Sequence, residues 1–349
     1  MKLPQRSRHF SWLLSILVCA AAHAQMTGQQ RAEAVGHDLV GSPAPRMVLK
    51  TIDGESIDLG SLYGKKAVYL KFWATWCVPC REQMPHFERT YESEGTDLAV
   101  IAINAGFNDS VDDVRAYRKQ VGIKMPIVID DGSLGAALNL RVTPQHVVIG
   151  RDGRIQYVSH LANERLDAAL QAARSSPAMG AAARSAKDGS GEARKTSQYA
   201  PGDQVPQFSV QSLDGSQFNS QEPGKHPAVL VFLSPWCESY LAKSRAAVSA
   251  NCRDVRVQVD ALAKKDPRVR WLGIASGIWA TKQDLSDYQS EHKVGIPLTL
   301  DESGSLFRTF QVRRVPTVIV IDSHGRIERR IEGTDPRLPA QLQAVTLEK

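Results

Sequence analysis

The strongest constraint on how this chain folds is a repeat. "APRMVLKTIDGESIDL" (44–59) is echoed by "VPQFSVQSLDGSQFNS" (205–220), aligning Pro45 with Pro206 and Asp53-Gly54 with Asp214-Gly215. "AVYLKFWATWC" (67–77) is echoed by "AVLVFLSPWC" (228–237) with one residue of slack, and "RVTPQHVVIGRDGRI" (141–155) by "RRVPTVIVIDSHGRI" (313–327). Landmarks that keep their order and nearly their spacing mark a duplicated unit. The 349 residues are therefore expected to form two like domains, 36–173 and 201–347. The stretch between them, 174–200, is small and polar with little apolar periodicity, and reads as a flexible linker.

Each half reads as alternating strands and helices. "KAVYLKFW" is a β-rich apolar run suited to a central strand covered on both faces, and "DLAVIAINAG" is a second. "CREQMPHFERTYESEG" carries helical spacing through Met84, Phe87 and Tyr91 and stops at Gly95. "SVDDVRAYRKQVG" opens on a Ser cap with acidic residues and ends at Gly122. "PQHVVIGRDGRIQYVS" is a hairpin turned at Asp152-Gly153, and "NERLDAALQAARS" closes the unit as an amphipathic helix. The expected class is α/β, a mixed central sheet flanked by helices, twice over.

Compartment decides what cysteines mean. Lys2, Arg6 and Arg8, then the apolar run Phe10–Ala22, then "AHA" at 22–24 make residues 1–24 an export signal cleaved before Gln25. The other readings are a retained N-terminal anchor, for which the apolar run is short, and a lipid-bearing Cys19, which Val18 disfavours. The mature chain is expected in an oxidising space, the bacterial periplasm, where thiols pair unless actively reduced. Cys77, Cys80, Cys237 and Cys252 then remain, too few to staple a chain that can bury its own cores. The net charge of +6 is spread along the sequence, with no basic run interleaved with aromatics, so nucleic-acid binding is not expected.

Cys77 and Cys80 stand where a helix begins after a buried strand. The unpartnered N–H groups and positive dipole end there stabilise a thiolate and lower its pKa. Three residues on, the second sulfur lies on the same face within disulfide reach, and Pro79 sits where a missing N–H costs nothing. Such a pair can pass between dithiol and disulfide with little backbone movement, which thiol–disulfide exchange requires. Zinc would need two more ligands at usable spacing, and covalent haem a His where Arg81 stands. An inert bridge is the remaining reading, and no cofactor or metal is called for.

"FWATWCVPCREQMP", with "VTP" about 65 residues later, resembles the thioredoxin superfamily, and within it the exported TlpA/ResA/CcmG-like branch. The likeness spans each half nearly end to end. It implies a thioredoxin fold in both halves, with Cys77 as attacking thiol, Cys80 as resolving thiol and Pro144 as a cis-proline facing the pair. It also implies that the backbone of Thr143 pairs with the substrate chain and that Trp76 lines the rim. The implied reaction is reduction of disulfides in exported proteins, as in cytochrome c or copper-site maturation, with electrons from a membrane thiol reductase of the DsbD type. Isomerase or oxidant action, and a binding module with structural cysteines, are the alternatives. One position departs from the pattern: Lys71 stands where thioredoxins carry a buried acid. Either it favours the thiolate through its charge, or it snorkels to solvent at a sheet edge.

The second half keeps Trp236-Cys237, but Tyr240 occupies the resolving position. The halves are offset by 160–161 residues before this motif and by 171–172 after it. Placing the whole insertion behind Cys237 brings "CRE" (80–82) onto "CRD" (252–254) and Pro144 onto Pro316, a second cis-proline candidate. Cys252 is thus expected to be the displaced partner of Cys237, as a redox or a structural pair. A continuous helix would hold the two about 20 Å apart, so the pairing requires a break, although "SRAAVSAN" contains no strong breaker. The rival reading is a buried helical Cys252 with no role.

Overall fold

A computed structural model describes residues 27–178, 199–221, 226–265 and 267–333. The expected leader, most of the expected linker and the helix expected to close the second half lie outside the described residues.

In the first unit the order is α1 (Gly28–Leu39), β1 (Val48–Lys50), β2 (Ser56–Asp58), α2 (Leu59–Leu62), β3 (Ala67–Trp73), α3 (Val78–Glu82) and α4 (Met84–Glu92). Then come β4 (Leu98–Asn104), α5 (Val111–Val121), β5 (Ile127–Ile129), α6 (Ser133–Ala137), β6 (Gln145–Ile149), β7 (Ile155–Ser159) and α7 (Glu164–Ser175). The sheet runs β5-β4-β3-β6-β7. β3 lies parallel to β4 and antiparallel to β6, and all seven of its residues are buried. The uninterrupted apolar run thus fills the middle of the sheet, covered on both faces.

The second unit repeats the plan: β8 (Ser209–Gln211), β9 (Gln217–Asn219), β10 (Ala228–Leu233), α8 (Cys237–Tyr240), α9 (Ala246–Ala263) and β11 (Arg270–Ser276). α10 (Lys282–His292), β12 (Leu298–Asp301), α11 (Ser305–Thr309), β13 (Thr317–Ile321) and β14 (Ile327–Glu332) complete it. Its sheet order, β12-β11-β10-β13-β14, is that of the first. The register removes the one-residue slack of the sequence alignment. Lys71 pairs with His146 and Val231 with Val318, so Val231 is the counterpart of Lys71.

Several elements depart from the sequence reading, α1 and β5 among them. α1 begins at Gly28, ahead of the expected domain start, held by a reciprocal cap between Thr27 and Gln30, and it buries Ala32 and Val35 beside β7. β5, at three residues, is too short to give a periodic signal. The two units also share one apolar cluster, in which Trp76, Phe107 and Cys77 join Phe307, Leu241 and Cys237. They are packed on each other, through the faces that carry the cysteines.

Candidate active site

Cys77 caps the N-terminus of α3 and is disulfide-bonded to Cys80, with Cα atoms 5.2 Å apart. The Cys80 N–H donates to Cys77 Sγ at 3.2 Å, so one otherwise orphaned helix donor is satisfied by the sulfur itself. The Thr143–Pro144 peptide is cis, and the Thr143 carbonyl oxygen lies 3.4 Å from Cys77 Sγ. The Trp76 indole N–H donates to the Phe107 carbonyl at 2.8 Å, fixing the ring beside the pair. Trp76, Cys77, Cys80, Thr143 and Pro144 therefore converge on one spot. Cys77, Cys80 and Thr143 are fully covered.

Lys71 does not snorkel. β3 is the middle strand and offers no edge, and the whole side chain is buried. Its Nζ lies 3.4 Å from the Cys80 carbonyl oxygen and 5.2 Å over the Phe87 ring. Burial disfavours the ammonium and lowers its pKa to about 7. At neutral pH this amine is thus part charged and part free base, directly behind the resolving cysteine.

Beside it lies a hydrogen-bonded chain that the sequence reading did not collect. His146 Nδ1 meets the Tyr69 hydroxyl at 2.7 Å, and His146 Nε2 meets Gln83 Oε1 at 2.8 Å. A neutral ring satisfies both if Nε2 donates to the amide oxygen and Nδ1 accepts from Tyr69. Gln83 Nε2 donates to the His160 carbonyl at 3.1 Å, and His160 Nδ1 donates to the carbonyl of Pro144 at 2.7 Å. Burial first, then the nearby Lys71 charge, holds His146 well below the usual imidazole range. The available signal was a histidine two positions after Pro144, at the head of the apolar run Val147–Ile149.

In the second unit the structure joins Cys237 to Cys252, with Cα atoms 6.3 Å apart. α8 is a single turn, the chain leaves helical geometry over 241–245, and α9 folds back against α8. Neither glycine nor proline makes this break. Arg245 is drawn out (φ −143°, ψ 60°), and its guanidinium meets Asp109 at 2.8 Å, the Asn108 carbonyl at 3.0 Å and Thr75 Oγ1 at 2.5 Å, all in the first unit. Ser249 Oγ donates to the Glu238 carbonyl at 2.6 Å, and Arg256 pairs with the Glu238 carboxylate at 2.7 Å, which staples α9 to α8. The Val315–Pro316 peptide is cis, and Pro316 shares a small cavity with Cys252 and Ser234.

The two faces meet reciprocally. The Asn108 N–H donates to the Arg313 carbonyl at 2.7 Å, and the Trp279 N–H to the Arg141 carbonyl at 2.8 Å. Arg141 and Arg313 are equivalent by the repeat, each two residues before the X of its X–Pro bond, and Asn108 and Trp279 both have positive φ (55° and 60°). Asn108 Oδ1 also accepts the N–H of Val315 at 2.9 Å, while Trp279 Nε1–H donates to Thr143 Oγ1 at 3.0 Å. Between these contacts Trp76 stacks on its repeat counterpart Trp236, centroids 5.0 Å apart, and the Val78 N–H next to Cys77 donates to the Tyr240 hydroxyl at 3.0 Å. Asp109, buried and accepting from Thr75, Asn104 and Arg245, anchors this contact. Its carboxyl is pushed up by burial, a rise those donors oppose.

The Redoxin family profile matches residues 39–172 and again 200–345. The chain belongs to the Redoxin family. It is similar to the thioredoxin-like protein YneN of Bacillus subtilis, 38% identical over 117 residues that cover 33% of this chain and 68% of that one. It is also similar to the thiol-disulfide oxidoreductase ResA of Bacillus anthracis, 31% identical over 136 residues, 38% of this chain and 77% of that one. Among solved structures it is similar to a thioredoxin-family thiol:disulfide interchange protein of Chlorobium tepidum TLS. That match is 30% identical, covers 38% of this chain and 95% of that one, and has a TM-score of 0.32. This Redoxin chain is a thiol-disulfide oxidoreductase of the ResA type, built as two thioredoxin-like α/β units. Among its described residues no helix is long and apolar enough to cross a membrane.

Proposed function

We propose that the chain reduces disulfides of exported proteins in the periplasm, with Cys77 as nucleophile and Cys80 as resolving thiol. The observation that carries this reading is the disulfide at the mouth of α3 facing the cis Thr143–Pro144 peptide. In the reduced form the Cys77 thiolate, stabilised by the helix start, attacks one sulfur of a substrate disulfide and expels the other. Cys80 then attacks Cys77 Sγ, which closes the Cys77–Cys80 bond and releases the reduced substrate. Lys71 supplies a base or a positive field behind Cys80 as that thiol loses its proton. A membrane thiol reductase of the DsbD type returns the electrons, and substrates include cysteines of cytochrome c or copper-site maturation. The export signal at 1–24 delivers the chain to that compartment.

Cys77 and Cys80 are covered in the closed arrangement, so a protein substrate engages them only after the second unit moves aside. Insulin reduction by wild type and by Cys77→Ser tests the reading: activity in wild type that is lost in the variant supports it, and an inactive wild type overturns it. The potential of the Cys77–Cys80 couple separates directions. A value near about −270 mV fits a reductant, and one near about −120 mV moves the reading to an oxidant.

A further inference from the structure

We propose that the Cys237–Cys252 pair is the resident exchange partner of Cys77–Cys80, so that electrons pass within one chain between the two units. The inference rests on the exchange chemistry proposed for Cys77. Its own ground is the reciprocal docking. Each unit presents, beside a cysteine pair, a loop ending in a cis X–Pro bond, and each such loop is occupied by the other unit. Val315 donates its N–H to Asn108, and Thr143 accepts from Trp279. Each unit is therefore seated on the other as a partner protein would be, and each brings its own disulfide to the contact.

The insertion behind Cys237 makes sense in this frame. Had the second pair merely decayed, nothing would return Cys252 to Cys237. Instead, the chain breaks at Arg245, doubles back and sets Cys252 beside Cys237 and Pro316, restoring a disulfide next to a cis-proline by a longer route. The residue that breaks the helix is also the one that holds the first unit, through Asp109 and Asn108. Cys237 follows Trp236, and Cys77 follows Trp76, so the stacked indoles place the two leading cysteines on either side of one contact.

The step balances within the chain. The Cys77 thiolate attacks Cys237 Sγ, a Cys77–Cys237 bond forms, the Cys237–Cys252 bond breaks, and the Cys252 thiolate takes a proton from solvent. The Cys80 thiolate, after giving up its proton, attacks Cys77 Sγ, closing Cys77–Cys80 and releasing Cys237 as a thiolate that is then protonated. Two electrons have moved from the first pair to the second, and the reverse sequence returns them.

The test is a trap. A Cys80→Ser, Cys252→Ser full-length chain, reduced with dithiothreitol and then freed of it under air, is expected to form a Cys77–Cys237 bond within the monomer. Peptide mapping after alkylation should find it, forming at a rate that does not change on dilution. Two thiols that stay open to alkylation, or that pair only between chains, overturn the proposal. Cys80→Ser alone separates the readings. If it captures an insulin chain as a mixed disulfide while the double variant forms no internal bond, the exchange fails and the reductase reading stands. If Cys80→Ser captures no insulin chain and the double variant forms no internal bond either, the reductase reading falls as well. A second measurement avoids substitution altogether. Wild type given one equivalent of dithiothreitol, freed of it by rapid desalting, then acid-quenched at intervals and alkylated, should redistribute thiols between both pairs at a concentration-independent rate. Sharing that slows on dilution, or none, overturns it.

Discussion

The two units reach one architecture, yet what lies beneath their cysteines differs. Behind Cys77–Cys80 the sheet carries Lys71 paired with His146, with Tyr69 and Gln83 bonded to the imidazole. At the equivalent register the second unit carries Val231 paired with Val318. At this register, therefore, the first pair is backed by groups that hold and move protons, and the second by two valines. Burying an amine is costly unless it is hydrogen-bonded or loses its proton, and among the described residues the only fully buried lysine, Lys71, is in the first unit. Both units hold a disulfide and a cis-proline, and the Lys71–His146 layer belongs to the first alone at that register.

Breaking the first pair gives the largest effect. Cys77→Ser should lower insulin reduction by at least about 100-fold, because the nucleophile itself is removed. Next is the cap between the units. Arg245→Ala leaves the carboxylate of Asp109 without its cation, at a cost of about 2–3 kcal/mol given that Thr75 and Asn104 still donate to it. Iodoacetamide should then reach Cys77 of the reduced protein more than about tenfold faster. An unchanged alkylation rate would show that Arg245 does not hold the cap.

Exchanging the buried groups sharpens the contrast further. Val231→Lys, with only Val318 opposite, should destabilise the second unit by roughly 2–4 kcal/mol in urea melts. Lys71→Met should do the reverse by a smaller amount and change the pH profile. The pKa of Lys71 is about 7 folded against 10.5 ordinarily, so the unfolded chain binds more protons between those limits, and wild-type stability rises with pH across that window. In Lys71→Met that rise should vanish, along with any inflection near pH 7 in the insulin-reduction rate. His146, held low by burial, acts in the same sense on the acid side, its penalty growing as pH falls through the ordinary imidazole range. The smallest effect belongs to the indole stack. Trp236→Ala should weaken the contact by about 1 kcal/mol beyond its lost area and remove a near-UV circular dichroism band.

Much of this was legible in the residues. The repeat carries the two sheets, since strands such as "KAVYLKFW" and "AVLVFL" announce their burial by composition. The cysteine spacing and the following "VTP" mark the site. Lys71 was half legible: the same apolar run that makes β3 central also denies it an edge, and a residue with no edge to reach is buried. The face-to-face packing was not legible. Asn108, Trp279 and Arg245 look like ordinary loop residues, and their pairing depends on the complementarity of two finished surfaces, which no local pattern encodes. The break at Arg245 is of this kind, since its cause lies in a carboxylate 136 positions away.

The reciprocal docking also sets a threshold on what this chain can act upon. On the proposed reading a protein substrate displaces the second unit, so its apparent affinity is its intrinsic affinity multiplied by the fraction of chains that stand open. Weakly binding disulfides are excluded by competition rather than by a shaped pocket, and the selectivity resides in the strength of an internal contact. Substitutions far from the sulfur atoms, at Arg245 or Trp279, should then widen the range of substrates while leaving the chemistry of Cys77 as it was.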